Sequence, residues 1–128
     1  NLIYGISYYG IYDRRMSLQS TIYRSQDGGV SWQPVKDYRM YGPLRVSPHD
    51  SQTIFVSNRK VLYKSTDGLM TVKKVLETET DITDIEFSIT DLGIIYAGAA
   101  GLQIYKSIDG GDTFSLKTDL RKFINSQK

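Results

Sequence analysis

One ten-residue pattern is written three times in this chain, as YRSQDGGVSW from Tyr23, YKSTDGLMTV from Tyr63 and YKSIDGGDTF from Tyr105. Ser25, Ser65 and Ser107 stand in register, 40 and 42 residues apart, and Asp27, Asp67 and Asp109 each follow two positions later. An aromatic and a base precede every copy: Tyr23-Arg24, Tyr63-Lys64 and Tyr105-Lys106. A repeat of this length is one supersecondary unit that has to bury its apolar face against its neighbours, so it restricts the fold more tightly than composition does.

The segments around each copy read as short strands. "LIYGISY", "TIFVSN" and "IIYAGA" lie upstream and are β-branched and aromatic; "PLRVSP" and "ITDIEFS" lie earlier still. "SWQPV", "TVKKVL" and "TFSLKT" follow the copies. Four strands per repeat (a, b, c and d) with a period of about 40 residues predict an all-β fold of propeller blades, built as three four-stranded antiparallel sheets. The approximate blades are 1–38, 39–79 and 80–118, with 119–128 as the start of a further blade. In that tail Leu120, Phe123 and Ile124 have helical spacing, but the repeat predicts an a-strand. Nothing like strand a precedes "LIYGISY", and the first residue is Asn1. Propellers close with about four or more blades. The expectation is therefore a piece of a larger propeller, partnered by the remaining blades of a longer chain or by a second copy.

The repeated pattern joins strand c to strand d, so it is a hairpin turn. Its aspartate can accept bonds from nearby backbone N–H groups, and its hydroxyls add to the same knot. Gly29 suits a positive φ that a Cβ would resist, and Trp32 covers the turn. Ser25-Asp27-Gly29-Ser31-Trp32 and Ser107-Asp109-Gly111-Thr113-Phe114 both fit Ser/Thr-x-Asp-x-Gly-x-Thr/Ser-Trp/Phe. The middle copy keeps Ser65, Asp67 and Thr71 but has Leu69 at the glycine and Val72 at the aromatic, so its turn is expected to be altered or strained.

This arrangement resembles the Asp-box (BNR) repeat β-propellers. The spacing of "SPHDSQTIFVSNRKVLYKSTDG" is more similar to the sortilin-type, photosystem II assembly factor and xyloglucanase branch than to sialidases, whose early Arg-Ile-Pro signature is absent. The resemblance implies that the boxes are structural and usually distant from any active site. It also implies an extracellular, periplasmic or luminal protein.

Antiparallel strands put the a–b and c–d loops on one face and the b–c loops and d–a connections on the other. The boxes occupy the first face, so functional loops are expected on the second. Tyr4 to Tyr23 spans 19 residues, whereas Phe55 to Tyr63 spans 8 and Tyr96 to Tyr105 spans 9. The first b–c loop, "YYGIYDRRMSLQS", thus carries an insertion of roughly ten residues relative to the other repeats. Tyr8, Tyr9 and Tyr12 offer broad, stiff surfaces, and Asp13, Arg14 and Arg15 offer charge; Tyr and Arg are the usual anchors of recognition. A solvated loop with a local Asp–Arg pair is the plainer reading of the same residues. "DYRMYG" and "ETETD" share that face.

Other chemistry finds little support. The carboxylates Glu77, Glu79, Asp81 and Asp84 show no pairing of the kind an inverting glycosidase needs, roughly 6.5–9.5 Å apart across a sugar. His49 is the one histidine, which excludes a histidine-rich metal site, and in "SPHDS" it is expected to shape the turn between strands a and b. No cofactor motif or phosphate loop is present, and no metal site is predicted. With a net charge of +2 and scattered bases, no nucleic-acid partner is expected. No apolar run approaches the ~18 residues of a membrane span. The absence of cysteine leaves the compartment open. Two function classes remain. One is a non-catalytic recognition or scaffold module that binds a protein or glycan through the face opposite the boxes. The other is part of a glycoside hydrolase of xyloglucanase type using paired carboxylates.

Overall fold

The computed structural model describes residues 2–10, 18–35 and 40–122, with side chains for all of them except 7–10 and 18–21. The chain forms two compact units, Asn1–Tyr41 and Gly42–Lys128. The first holds β1 (Ile3–Gly10), β2 (Leu18–Ser25) and β3 (Gln33–Val35) in one antiparallel sheet, ordered β1-β2-β3.

The second unit holds two four-stranded antiparallel sheets. One is β4 (Leu44–Val46), β5 (Ile54–Asn58), β6 (Val61–Ser65) and β7 (Lys73–Glu77); the other is β8 (Ile82–Phe87), β9 (Ile95–Ala99), β10 (Gln103–Ser107) and β11 (Ser115–Asp119). Sequential strands are spatial neighbours in every sheet, as expected where each connection is a hairpin or short loop. The predicted all-β architecture is therefore observed among the described residues, with four strands in two of the sheets as expected but three, not four, in the first. Residues 120–122 turn helical where the repeat predicted an extended strand, and residues 123–128 lie outside the described residues.

The repeat is visible in the pairing. Tyr4 faces Arg24, Phe55 faces Lys64 and Tyr96 faces Lys106, so the same aromatic–base pair recurs across β1–β2, β5–β6 and β9–β10. A register shift recurs too, between Leu62 and Tyr63 in β6 and between Ile104 and Tyr105 in β10. Such bulges sharpen the local twist.

In the second unit the core lies between the two sheets. Phe55 and Leu62 pack with Ile82, Ile85, Ile95 and Ala97, and Val75, Leu76, Phe87, Tyr105 and Phe114 close the edges. Strand alternation explains the selection: along β9, Ile95, Ala97 and Ala99 are buried while Tyr96 between them is exposed. The Phe55 and Phe87 rings meet edge to face with centroids 5.6 Å apart, a favoured aromatic geometry. Gly111 (φ +88°) lies against the Phe55 ring so closely that a Cβ there would overlap it. Polar ties reinforce the packing: Lys64 Nζ donates to Asp112 Oδ1 at 2.9 Å, and His49 Nε2 lies 3.0 Å from the Ser88 carbonyl. His49 also donates its backbone N–H to Ser47 Oγ at 3.2 Å, which fixes the β4–β5 turn as its sequence context suggested.

Candidate recognition face

The Ser-x-Asp turns close one end of each sheet, and their geometry shows what they are free to do. Ser25 Oγ donates to Asp27 Oδ1 at 2.8 Å and accepts from the Gly29 N–H at 2.8 Å. Asp27 accepts from the Ser31 N–H at 2.9 Å and from Ser31 Oγ at 2.5 Å, and Trp32 Nε1 donates to the Gly29 carbonyl at 3.1 Å. The third turn repeats this with Ser107, Asp109, Gly111 and Thr113 at 2.8, 2.8, 2.9 and 2.5 Å. The middle turn also repeats it, with Ser65, Asp67, Leu69 and Thr71 at 2.8, 2.9, 2.9 and 2.6 Å. Its hydroxyl and carboxylate bonds therefore match those of the other two turns. The departure from the pattern is absorbed as strain at Leu69, which is fully buried at φ +73°.

Each carboxylate spends its acceptor capacity inside its own turn. The hydroxyls of Ser31 and Thr71, followed by the backbone N–H groups of the same residues, hold Asp27 and Asp67 down at about 2. Thr113 holds Asp109 lower still. These groups suit turn architecture and not proton transfer near neutrality.

A pH dependence follows. An unfolded aspartate titrates near ~3.9, above the folded values, so the turns contribute stability that is complete above that range and is lost as pH falls through about 2. Melting temperature followed by circular dichroism is expected to fall steeply between about pH 4 and pH 2. The triple variant Asp27→Asn, Asp67→Asn, Asp109→Asn is expected to be less stable near neutrality and to have a flatter acid limb. An acid limb as steep as the parent's would contradict the role assigned to these turns.

The opposite ends of the sheets carry the rim that the sequence singled out. In the first unit Tyr8 faces Ser20, Tyr9 faces Gln19 and Gly10 faces Leu18. The insertion expected as a loop is thus partly strand: β1 and β2 each run eight residues, against five for β5, β6, β9 and β10. Its strands hold Ile3, Tyr4, Ile6, Tyr8, Tyr9, Ile22 and Tyr23, residue types that favour continued pairing. Tyr12, Asp13, Arg14 and Arg15 lie outside the described residues, as do residues 37–39 of "DYRMYG".

In the second unit the equivalent rim is stitched by backbone bonds. Arg59 (φ 55°) and Lys60 form the two-residue link from β5 to β6. The Lys60 carbonyl accepts from the Thr78 N–H at 2.8 Å and the Arg59 carbonyl from the Ile82 N–H at 2.7 Å. Thr80 Oγ1 accepts from the Gly101 N–H at 2.8 Å, and the Asp81 carbonyl from the Ala100 N–H at 2.8 Å. Arg121 grips Asp119 with two side-chain bonds, at 2.9 and 2.7 Å, and these bonds, ahead of the charge attraction, lower the Asp119 carboxyl to about 2. Arg59, Lys60, Glu77, Glu79 and Asp81 are exposed around this frame.

Glu77 is held by Lys74 at 3.0 Å, while Asp84 lies away on β8, 3.8 Å from Arg45. The sequence reading placed Thr78 and Thr80 on this face within "ETETD" without giving them a role, and took Arg59 and Lys60 only as scattered bases. The eight-residue spacing of Phe55 and Tyr63 leaves room for only a tight link at Arg59-Lys60, and that was the available signal. Among the described residues, no three His, Asp or Glu side chains gather as a metal site, and no helix is long and apolar enough to cross a membrane.

Antiparallel sheets that repeat one register, each closed at one end by the same turn, are blades of a β-propeller. The solved structure "YCF48 bound to D1 peptide" matches with a TM-score of 0.56, covering 75% of this chain and 33% of that one at 17% identity. At that identity the likeness is one of fold, and this chain spans about a third of the matched chain's length. No protein-family model matches the sequence, and no curated protein matches it.

Proposed function

We propose that the chain is a non-catalytic recognition segment of an Asp-box propeller, from the branch that includes sortilin-type receptors and assembly factors. Its ligand is an extended peptide segment of a partner protein, taken by the rim opposite the box turns. An extracellular, periplasmic or luminal setting accompanies this reading. The observation that carries it is the β1–β2 hairpin. Three additional residues per strand extend it by about 10 Å beyond the equivalent hairpins, and its end holds Tyr8 and Tyr9 and leads into Tyr12, Asp13, Arg14 and Arg15. The fold match to a structure of YCF48 bound to D1 peptide adds that a propeller of this kind can hold a peptide.

Peptide-library display on the full chain tests the reading. Selected peptides are expected to lose about tenfold or more in affinity, or ~1.4 kcal/mol, on Tyr9→Ala or Arg14→Ala. Stability should remain within about 0.5 kcal/mol, as for ordinary surface changes. Binding that is indifferent to both substitutions would overturn the assignment of the hairpin. Binding confined to a glycan array would replace the peptide by a glycan. Release of reducing sugar from xyloglucan, abolished by changing one of Glu77, Glu79 or Asp81, would replace recognition by hydrolysis.

A further inference from the structure

The two sheets of the second unit share another repeated device, beside the box turns. Ser47, Asp50 and Gln52 in the turn from β4 to β5 match Ser88, Asp91 and Gly93 in the turn from β8 to β9. The Ser47 N–H donates to the Thr53 carbonyl at 2.8 Å, and the Ser88 N–H to the Ile94 carbonyl at 3.1 Å. Asp50 Oδ1 accepts from the Gln52 N–H at 2.9 Å, and Asp91 Oδ1 from the Gly93 N–H at 3.0 Å. Each turn thereby aims one carbonyl at a box. The Gln52 carbonyl accepts from the Gly68 N–H at 3.1 Å, and the Gly93 carbonyl from the Gly110 N–H at 3.0 Å.

In every copy of the box the aspartate is followed by glycine, at Asp27-Gly28, Asp67-Gly68 and Asp109-Gly110. Such a pair is chemically labile. The glycine nitrogen, unhindered by a Cβ on its own residue, attacks Cγ of the preceding aspartic acid. An N–Cγ bond forms, a Cγ–O bond breaks, and one water leaves with that oxygen, the carboxyl proton and the amide proton. A solvent water then opens the imide at the main-chain carbonyl carbon, which restores the lost mass and routes the backbone through Cγ as isoaspartate. A nitrogen whose N–H is held by a carbonyl has to surrender that bond first. The turns themselves are alike: Gly28, Gly68 and Gly110 sit at φ +72°, +69° and +76°, and each aspartate accepts from the N–H four residues on at 2.9 Å. The neighbouring carbonyl is what differs. Among the described residues the Gly28 N–H has no carbonyl partner, and Asp27 and Gly28 are both exposed, whereas Gly68 is buried and Gly110 half-buried.

We propose that Asp27-Gly28 is a site of spontaneous isoaspartate formation, and that the turns holding Gln52 and Gly93 guard Asp67-Gly68 and Asp109-Gly110 from the same reaction. Asp50 and Asp91 are the positioning residues of the guard, since each fixes the turn whose carbonyl occupies the glycine nitrogen. Conversion at Asp27 adds one atom to the backbone of the first turn and carries the carboxylate away from Ser25 and Ser31, its present partners. The knot of that turn opens while the other two stay closed. This inference is independent of the role proposed above for the hairpin.

The test is incubation of the full chain near neutral pH at physiological temperature, followed by peptide mapping. Trypsin places each box in its own peptide, Ser25–Lys36, Ser65–Lys73 and Ser107–Lys117. Isoaspartate appears there as a second peak of unchanged mass that an isoaspartyl methyltransferase labels from S-adenosylmethionine. Asp27 is expected to convert about tenfold or more faster than Asp67 and Asp109, the ratio that ~1.4 kcal/mol of added restraint gives. In urea the three rates should converge, because each aspartate precedes a glycine. Asp50→Ala is expected to raise conversion at Asp67 alone, and Asp91→Ala at Asp109 alone, each by about threefold or more, as for the loss of one hydrogen bond. Should either variant fail to fold by circular dichroism, the parent chain compared with and without urea decides by itself. The proposal is overturned if Asp27 converts no faster than the other two in the folded chain, if its lead persists in urea, or if folded Asp50→Ala and Asp91→Ala chains keep the parent rates.

Discussion

Gly111→Ala is expected to cost the second unit about 2–5 kcal/mol of stability, against about 1–2 kcal/mol for Gly29→Ala in the first. Both glycines sit at positive φ, +88° and +95°, so both substitutions carry the left-handed strain. Leu69, at φ +73° in the third equivalent position, shows that a side chain can be held there. The surroundings separate the two cases. A Cβ on Gly29 would rest 3.8 Å from Trp32 and 3.9 Å from Ile3, ordinary contacts, whereas a Cβ on Gly111 would overlap the Phe55 ring and press on Ile95. Urea unfolding monitored at both positions distinguishes them. Equal losses would mean that the ring moves aside freely. A smaller loss for Gly111→Ala in a Phe55→Leu background would identify the ring as the obstacle, since neighbouring sites couple.

The second large effect belongs to the ring itself. Phe55→Ala is expected to cost about 3–5 kcal/mol, the range for a fully buried phenylalanine whose site cannot collapse. Phe55 is 0% exposed and packs with residues of both four-stranded sheets, so truncation opens a void between two paired frameworks. It also removes the ring beneath Lys64 and the edge contact to Phe87. The partly buried Phe87, truncated in the same way, is expected to cost less. A Phe55→Ala loss below about 1.5 kcal/mol would mean that the sheets repack across the gap.

Much of the fold was legible because its signals are local. The recurring Ser-x-Asp pattern located every turn from strand c to strand d, and β-branched and aromatic runs such as "IIYAGA" located the strands. The hydroxyl–carboxylate knot was readable for the same reason, since its partners are near neighbours in sequence. Contacts between sheets were not readable. Nothing in "YKSTDG" says that Lys64 will meet Asp112, because the repeat fixes register within a sheet but not which turn fills which socket. The base before each box was visible as a recurring feature, and its purpose at Lys64 emerged only with the packing. The length of β1 and β2 escaped as well: comparison with shorter repeats made their excess look like loop, although its composition suits a strand. Leu69 was expected to leave its turn altered or strained, and strain is what it shows. Local strain proved compatible with the whole bond set, a balance of energies that a pattern match does not weigh.

The turns also bear on the cost of chain closure. Their hydroxyl and carboxylate bonds join residues no more than four apart, whereas the Lys64–Asp112 bond joins residues 48 apart. Closure entropy grows with the loop enclosed, so each turn forms at little cost in chain freedom. The junction between sheets meets a far larger one, and contacts of such long span are what slow the folding of β proteins. By holding the Gly111 backbone in place through Ser107 before the distant ring arrives, the turn confines that cost to a single encounter between two nearly finished surfaces.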